Sequence, residues 1–315
     1  MTLRHLPLLA ASLLLTACYE GDWGSSDRFQ DDFHYSFDLQ PGGRVTAETF
    51  NGSVEISGWD QNKVEISGTR YASSESLRDA VKIETHNSPS LVEVRAIKPS
   101  VTRGNSGARL LIRVPRHAVV ERVTTSNGPV RVERVAGAAH LRTSNGAIRV
   151  AETAGTLDAR TSNGPVEIEQ FSGSLVIRTS NGGIRAERIA GGLEAETSNG
   201  PINIRLDKAP AGPVRLTSSN GHIDVAMAES PKNDLRAETS NSAITLRLPA
   251  SFSARVEADT SNSRVSTEFD ELDRQFPAHG DDRHRRLSAN IGGGGPTIVL
   301  HTSNGNIRIL KSSLN

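Results

Sequence analysis

The sequence predicts an all-β fold: a parallel β-solenoid of 18- to 21-residue rungs behind an N-terminal β-rich cap. Three observations carry that prediction. The first is a repeated phrase, Thr125-Ser126-Asn127-Gly128, which recurs ending at Gly146, Gly164, Gly182 and Gly200, so that Asn127, Asn145, Asn163, Asn181 and Asn199 stand 18 residues apart. Looser copies carry Asn220, Asn241 and Asn262 at a period of 21, and Asn304 lies two such periods further on. The second is alternation of apolar residues: Val130 and Val132, Ile148 and Val150, Val166 and Ile168, Ile184 and Ala186, Ile202 and Ile204 follow the corners, while Leu157 with Ala159, Leu175 with Ile177 and Leu193 with Ala195 precede them. A period of two belongs to strands, not to helices. The third is punctuation: each repeat has an Asn-Gly corner and a second break at Ala136-Gly137, Ala154-Gly155, Ser172-Gly173 or Ala190-Gly191, where glycine is expected to supply a positive φ. A fixed period near 20 with strands and corners in constant columns marks a stack in which each unit buries its apolar face against its neighbours.

Extending the alternation through the corner places Thr and Asn inward and Ser outward. A buried amide without partners costs about 1–3 kcal/mol, so an inward column of asparagines requires each amide to bond the next. The structural ladder expected is therefore Asn127, Asn145, Asn163, Asn181, Asn199, Asn220, Asn241, Asn262 and Asn304.

Taken in order, the chain opens with Arg4 and His5, an apolar run from Leu6 to Leu15, and Leu15-Thr16-Ala17-Cys18, which reads as a secretory signal over 1–17, too short to be a retained span. These small residues before a lone Cys resemble the lipobox of bacterial lipoproteins. That resemblance implies cleavage before Cys18 and its lipidation, with residues 18–35 as the lipidated Cys and a flexible tether. Residues 36–123 read as the β cap, with strands at Phe37 and Leu39, Val54 and Ile56, Val64 and Ile66, a short helix over Ser74–Ala80, and strands over 81–85, 91–96 and 110–114. Residues 124–310 form the repeat solenoid, interrupted at 267–296 by an exposed loop with a strand around Leu287–Ile291. The rung of Ile298, Leu300, Thr302, Asn304, Ile307 and Ile309 is expected to close the stack before a tail at 311–315.

Composition limits the chemistry. Thirty-six Lys and Arg balance 36 Asp and Glu, so no bulk attraction to nucleic acid is implied, and an aromatic share of 4% suits a narrow core of Val, Ile, Leu, Ala and Thr. The single Cys removes any disulfide framework or Cys-based metal site. His279-Gly280-Asp281-Asp282-Arg283-His284 is the one grouping of conceivable ligands, and it falls in the expected loop; neither a metal site nor a cofactor is assigned. The outward columns, Arg131, Arg149, Glu167 and Arg185 in one and Glu133, Ala151, Glu169 and Glu187 in the next, alternate in sign as solvated salt-bridge faces do. One column differs. Arg142, Arg160 and Arg178 stack directly, with Glu196 next, and since like charges at that spacing repel, either neighbours such as Asp158 and Glu194 screen them or an anion does, which makes the column a candidate stripe for a polyanion. No catalytic constellation stands out.

The signal and lipobox, Val54-Glu55-Ile56-Ser57-Gly58-Trp59-Asp60, the step Ile112-Arg113-Val114-Pro115, the repeated Thr-Ser-Asn-Gly and the closing 295–309 together resemble the bacterial "putative adhesin" β-strand-repeat family, a family of unknown function, over roughly residues 37–310. The resemblance implies a right-handed solenoid in the cell envelope. By resemblance to enterobacterial sorting, Tyr19 after the Cys favours the outer over the inner membrane. The expected function is a non-enzymatic, lipid-anchored, monomeric envelope protein offering a binding or scaffold surface, with the membrane as one partner and an envelope glycan or protein as another. Two alternatives are a carbohydrate-active lyase or hydrolase, which requires clustered carboxylates across neighbouring rungs, and a structural element that assembles end to end.

Overall fold

In the computed structural model, which describes residues 28–100, 103–276 and 284–312, the chain winds into stacked coils, each giving one strand to a sheet that runs up to the Ser-Asn corner and one to a sheet that leaves it. Along the stack, the sheet before the corners runs Leu91–Ile97, Arg44–Glu48, Val119–Thr124, Gly137–Arg142, the far ends of Ile148–Arg160 and Val166–Thr179, then Leu193–Thr197, Val214–Ser218, Leu235–Thr239, Thr297–Thr302 and Ala254–Thr260. The sheet after the corners runs Ser106–Pro115, Val54–Trp59, Val130–Val135, the near ends of the same two long strands, Ile184–Ile189, Ile202–Leu206, Ile223–Met227, Ile244–Leu248, Ile307–Lys311 and Val265–Thr267. Every one of these neighbours is parallel. Adjacent coils stand about 4.8 Å apart, so eleven coils among the described residues make a stack on the order of 50 Å long.

The core follows the alternation. Val130, Ile148, Val166, Ile184, Ile202, Ile223, Ile244 and Ile307 form one buried column, and Leu141, Ala159, Ile177, Ala195, Leu216, Ala237 and Leu300 form the facing one. Each fully buried Val, Leu or Ile is worth roughly 1.5–3 kcal/mol, so the stack is held chiefly by these columns. Phe171 is the one aromatic among the largest fully buried side chains, in keeping with a narrow interior.

The corner departs from the alternation in two respects. The threonines are buried as expected, but the asparagines are exposed together with the serines, and the residue that turns inward is the glycine. The amide ladder nevertheless exists, on the outside: Asn145 Nδ2 donates to Asn127 Oδ1 at 2.7 Å, and the pattern continues through Asn163, Asn181, Asn199, Asn220 and Asn241 at 2.7–2.8 Å, then to Asn304 and Asn262. The glycine is required by close approach and not by a left-handed φ. Gly146, Gly164, Gly182 and Gly200 lie outside the positive-φ region, yet a Cβ on any of them would sit 1.8–1.9 Å from the carbonyl oxygen of the glycine one coil earlier. The buried Thr hydroxyl ties the corner together. Thr161 Oγ1 donates to Gly146 O of the previous coil at 3.0 Å and accepts from Gly164 N of its own at 3.3 Å, as Thr143, Thr179 and Thr197 do in theirs. At the second break the expected positive φ is found on Gly155 and Gly173, at 103° and 122°, and not on Gly137 or Gly191, while left-handed positions precede the break on Arg134, Glu152, Gln170 and Arg188, with φ of 52–55°. Each turns the chain so that the next residue, Val135, Thr153, Phe171 or Ile189, is buried.

Threading at the two ends also differs from expectation. The coil 44–59, placed by sequence in the cap, is part of the stack and lies against the coil 119–135. Beyond it, Leu91–Ile97 and Ser106–Pro115 make one more parallel coil, whose edges are covered by antiparallel Lys82–Ser88 and Lys63–Ala72. The expected helix is present as Glu75–Ala80; Ser74 caps it by accepting from Leu77 N at 3.3 Å, and Leu77 is buried. Residues 29–35, expected to belong to the tether, are strand. A strand begins at Phe29 and runs antiparallel to Lys63–Ala72. Asp31 sits in its inward column and pairs with Arg70, which hid the alternation of Phe29, Phe33, Tyr35 and Phe37 from a reading based on hydrophobicity.

At the other end, the rung 297–311 does not close the stack. It lies between the coil 235–248 and the coil 254–267. The reason is that antiparallel Arg286–Ile291 occupies the outer edge of Ala254–Thr260, leaving only its inner edge to the last coil. The expected 267–296 loop is thus largely structured where it is described: Asp270–Asp273 is a helical turn with Leu272 buried, and Leu287, Ala289 and Ile291 are buried on the strand. Cys18, the signal segment and His279–Arg283 lie outside the described residues.

Candidate binding faces

The outer faces carry the functional candidates because the stack places every outward column in coil-by-coil register. On the sheet before the corners, Arg142, Arg160 and Arg178 are directly opposed in successive coils, as the spacing predicts, with Glu196 next. Like charges so spaced repel, and the structure relieves this by local pairing. Arg160 makes a contact of 2.7 Å with Asp158, two residues earlier on its own strand. Arg178 reaches across to the next coil, to Glu194 at 2.5 Å and Glu196 at 3.3 Å. Arg142 has no carboxylate partner among the described residues.

Two further arginines on this face escaped the sequence reading because they stand in the neighbouring outward column. Arg122 opposes His140 one coil on, and Arg215 opposes Glu194 and Arg236. Neither Arg122 nor Arg215 is ion-paired among the described residues, whereas Arg236 is held by Glu238. The signal that could have found them is position five before the corner Asn, read as a column in its own right. Arg215 borders a shallow groove of about 540 Å³ whose floor includes the side chains of Val176, Pro213 and Val299, with Asp234 and Arg236 at its margin. The face therefore presents three guanidiniums free of carboxylates, at Arg122, Arg142 and Arg215, among the neutralised Arg160, Arg178 and Arg236. Such a surface can accept carboxylate, sulfate or phosphate groups through bidentate, charge-assisted hydrogen bonds.

The sheet after the corners is different in kind. Arg131, Arg149, Glu167, Arg185, Asn203 and Asp224 form its first outward column in register. Its charges are matched almost one for one: Arg131 and Arg134 with Glu133, Arg149 with Glu167, Arg185 with Glu187, Arg188 with Glu169 and Arg247 with Asp224. Exposed pairs of this sort contribute about 0–1 kcal/mol each, so this face is a solvated lattice. The pairing holds the Arg149 guanidinium, through its hydrogen bond and charge contact with Glu167, above its ordinary value. The carboxylates Glu133, Glu167, Glu169, Glu187 and Asp224 of this face are accordingly each beside an arginine.

Corner residues form a third face: a ridge of Ser126, Ser144, Ser162, Ser180 and Ser198 beside the amide ladder. Each ladder amide from Asn145 on donates one N–H to the coil before it in the stack and keeps the other for solvent. Among the described residues no group of three or more His, Cys, Asp or Glu is arranged to hold a metal, and His284, at the end of the candidate His-Asp loop, packs on Phe276 with ring centroids 4.8 Å apart. No helix among the described residues is long and apolar enough to cross a membrane.

A family model described as Toastrack DUF4097 matches residues 43–243. No curated protein matches the chain. Solved structures of similar outline include a "putative cell adhesion protein" from Clostridium sporogenes ATCC 15579, 12% identical, covering 89% of this chain and 100% of that one at a TM-score of 0.22. A "putative lipid binding protein" from Parabacteroides distasonis ATCC 8503 is 10% identical, with 88% and 96% covered at a TM-score of 0.31. A "putative adhesin" from Bacteroides fragilis NCTC 9343 is 11% identical, with 89% and 97% covered at 0.26.

Proposed function

The chain belongs to the Toastrack DUF4097 family, and from that premise we propose that it is a non-enzymatic rod of the cell envelope, tethered through acylated Cys18, whose flat face before the corners binds an acidic polymer. The observation that supports this is the in-register arginine array, in which Arg122, Arg142 and Arg215 are free of carboxylates on a single sheet face beside a shallow apolar groove. Coils repeating every 4.8 Å or so offer a partner many weak contacts, and their sum along a chain of anionic groups gives avidity without any deep pocket. Membrane attachment at Cys18 sets the rod in the envelope, with the outer membrane favoured by the residue that follows the Cys. The protein acts as a monomer in this reading, which is supported by the antiparallel strands that cover both strands of the first coil and the Ala254–Thr260 strand of the last, where end-to-end growth would otherwise begin.

The test is a binding screen of the Cys18→Ser chain against acidic and neutral envelope polymers at low and high salt. Salt-sensitive binding to an acidic polymer, lost in a variant with alanine at Arg122, Arg142 and Arg215 and reduced in one with alanine at Arg142, Arg160 and Arg178, is the expected result. Binding that survives both variants would move the site off this face. Absence of binding to every polymer would make the rod a passive spacer, and turnover of any polymer would favour the lyase or hydrolase alternative.

A further inference from the structure

The last coil of the chain occupies a slot between two coils that are consecutive in sequence, and we propose that this slot is a binding site for a strand pair that can be filled by the terminal coil of a second copy of this chain in place of its own. The walls are the coil 235–248 and the coil 254–267. Thr297–Thr302 pairs with Leu235–Thr239 on one side and with Ala254–Thr260 on the other, and Ile307–Lys311 pairs likewise with Ile244–Leu248 and Val265–Thr267. Hydrogen bonds close both edges of the inserted coil: Asn304 N donates to Ser240 O and Asn262 N to Ser303 O, each at 2.9 Å, while Thr302 Oγ1 and Thr260 Oγ1 each donate across the corner at 3.0 Å.

Three features make this slot exchangeable. First, its walls fit one another without the occupant. Asn262 follows Asn241 by the same 21 residues that separate Asn199, Asn220 and Asn241, whose coils stack directly. On that register Val256 would meet Leu235, Ala258 would meet Ala237, Thr260 would meet Thr239 and Val265 would meet Ile244, so a vacated slot can close with its columns intact. Second, the segment that precedes the occupant belongs to the outer wall and not to the occupant: Leu272 and Phe269 are buried there, and Arg286–Ile291 is bonded to Ala254–Thr260. Third, wall and occupant are joined by Gly292-Gly293-Gly294-Gly295, four successive glycines with φ of 60°, 86°, 83° and 139°, a conformation that side-chain-bearing residues rarely adopt. A hinge of this kind next to a complete, separable supersecondary unit is the arrangement from which identical elements are exchanged between protomers. The site's specificity is set by shape: an apolar pair inward on one strand (Ile298 and Leu300), Thr302 and Asn304 at the corner, and Ile307 and Ile309 inward on the next. The chain's own coil prevails in dilute solution, because a short linker gives it an effective concentration on the order of millimolar.

Cysteine pairs on the outward Ser column test this in the Cys18→Ser chain. Ser240 and Ser261 are two coil steps apart when the slot is filled by Ser303's coil, about 9.6 Å, beyond the roughly 4.4–6.8 Å that a disulfide spans. A chain ending at Gly295 with Ser240→Cys and Ser261→Cys is expected to form the intramolecular disulfide, which the full-length pair does not. A labelled synthetic peptide of residues 295–315 is expected to bind this shortened chain in its reduced form and to suppress the disulfide. With intact chains, one carrying Ser240→Cys and one carrying Ser303→Cys, joint refolding from urea at high concentration should yield a covalent heterodimer that refolding at hundredfold dilution does not. A folded shortened chain that neither closes the disulfide nor takes the peptide would overturn the proposal. So would the absence of heterodimer from the intact chains, an assay that decides the matter even where the shortened chain does not fold.

Discussion

Gly164→Ala tests whether the stack depends on contact between glycines at the corner. The added Cβ would lie 1.8 Å from Gly146 O, 2.3 Å from Gly146 C and 2.8 Å from Ala147 N. These are backbone atoms of the coil below, so no side chain can swing aside, and the two coils must part locally by more than an ångström. Four hydrogen bonds cross that gap: Thr161 Oγ1 to Gly146 O at 3.0 Å, Asn163 Nδ2 to Asn145 Oδ1 at 2.7 Å, and Ser162 N and Asn163 N to Ser144 O at 3.1 and 3.0 Å. Lengthening each by that amount breaks it, and at about 1 kcal/mol net apiece the loss of two to four gives roughly 2–4 kcal/mol. Gly183→Ala is the control. Its Cβ would come no nearer than 3.3 Å, to Pro201 Cγ, and the equivalent position one period earlier than Pro165 already holds Ala147, so its expected cost is below about 1 kcal/mol. Urea unfolding of the two variants and the Cys18→Ser parent measures both. Equal costs, or a Gly164→Ala loss below about 1 kcal/mol, would refute the close-approach account and return the corner glycine to a purely conformational role.

Other outcomes follow from the same geometry. Asn163→Ala removes one ladder bond on each side, but the orphaned amides face water, so the expected loss is about 0.5–1.5 kcal/mol in urea unfolding, short of what a buried ladder would cost. Gln170→Gly, at φ 54°, should be neutral or stabilising by up to about 1 kcal/mol, against the usual penalty for glycine in a strand; a clear loss in melting temperature would contradict the left-handed assignment. The hydrogen bond and charge of Arg70 hold the Asp31 carboxyl below the usual aspartate range. Its contribution is therefore complete above the ordinary aspartate value and fades as the pH falls through the lower folded-state value. Asp31→Asn should flatten that part of the acid-unfolding profile relative to the parent and leave the neutral-pH slope unchanged.

The periodic part of this fold was legible because every buried position repeats: Ile148, Val166 and Ile184 announce a column before any contact is known. The corner was misread because alternation was carried through it. The chain bends at Ser162 and Asn163 so that two successive side chains face water and Gly164 turns inward, and no binary pattern encodes a residue that is inside for want of a side chain. The order of the last two coils was hidden for another reason. A spacing of 42 residues between Asn262 and Asn304 fits either order, and only the claim of Arg286–Ile291 on the outer edge decides it. On the candidate face, the column of Arg142, Arg160 and Arg178 could be read from spacing, and so could Asp158 and Glu194 as neighbours able to screen it, but spacing left screening and anion binding as alternatives. Asp158 and Glu194 act from an adjacent column, and whether they reach the arginines is a matter of rotamers.

The Asn-to-Asn registry of the 18-residue coils has a bearing on how such a chain can change over generations. Removing residues 147–164 would join Gly146 to Pro165 and bring each column onto its counterpart, with Thr179 inheriting the glycine carbonyl that Thr161 bonds now. Loss of one residue in the same stretch would instead send every following side chain to the opposite face. Rod length is therefore a trait that duplication or loss of 54-nucleotide units can lengthen or trim in steps of about 4.8 Å, while the two capped ends pass through unaltered.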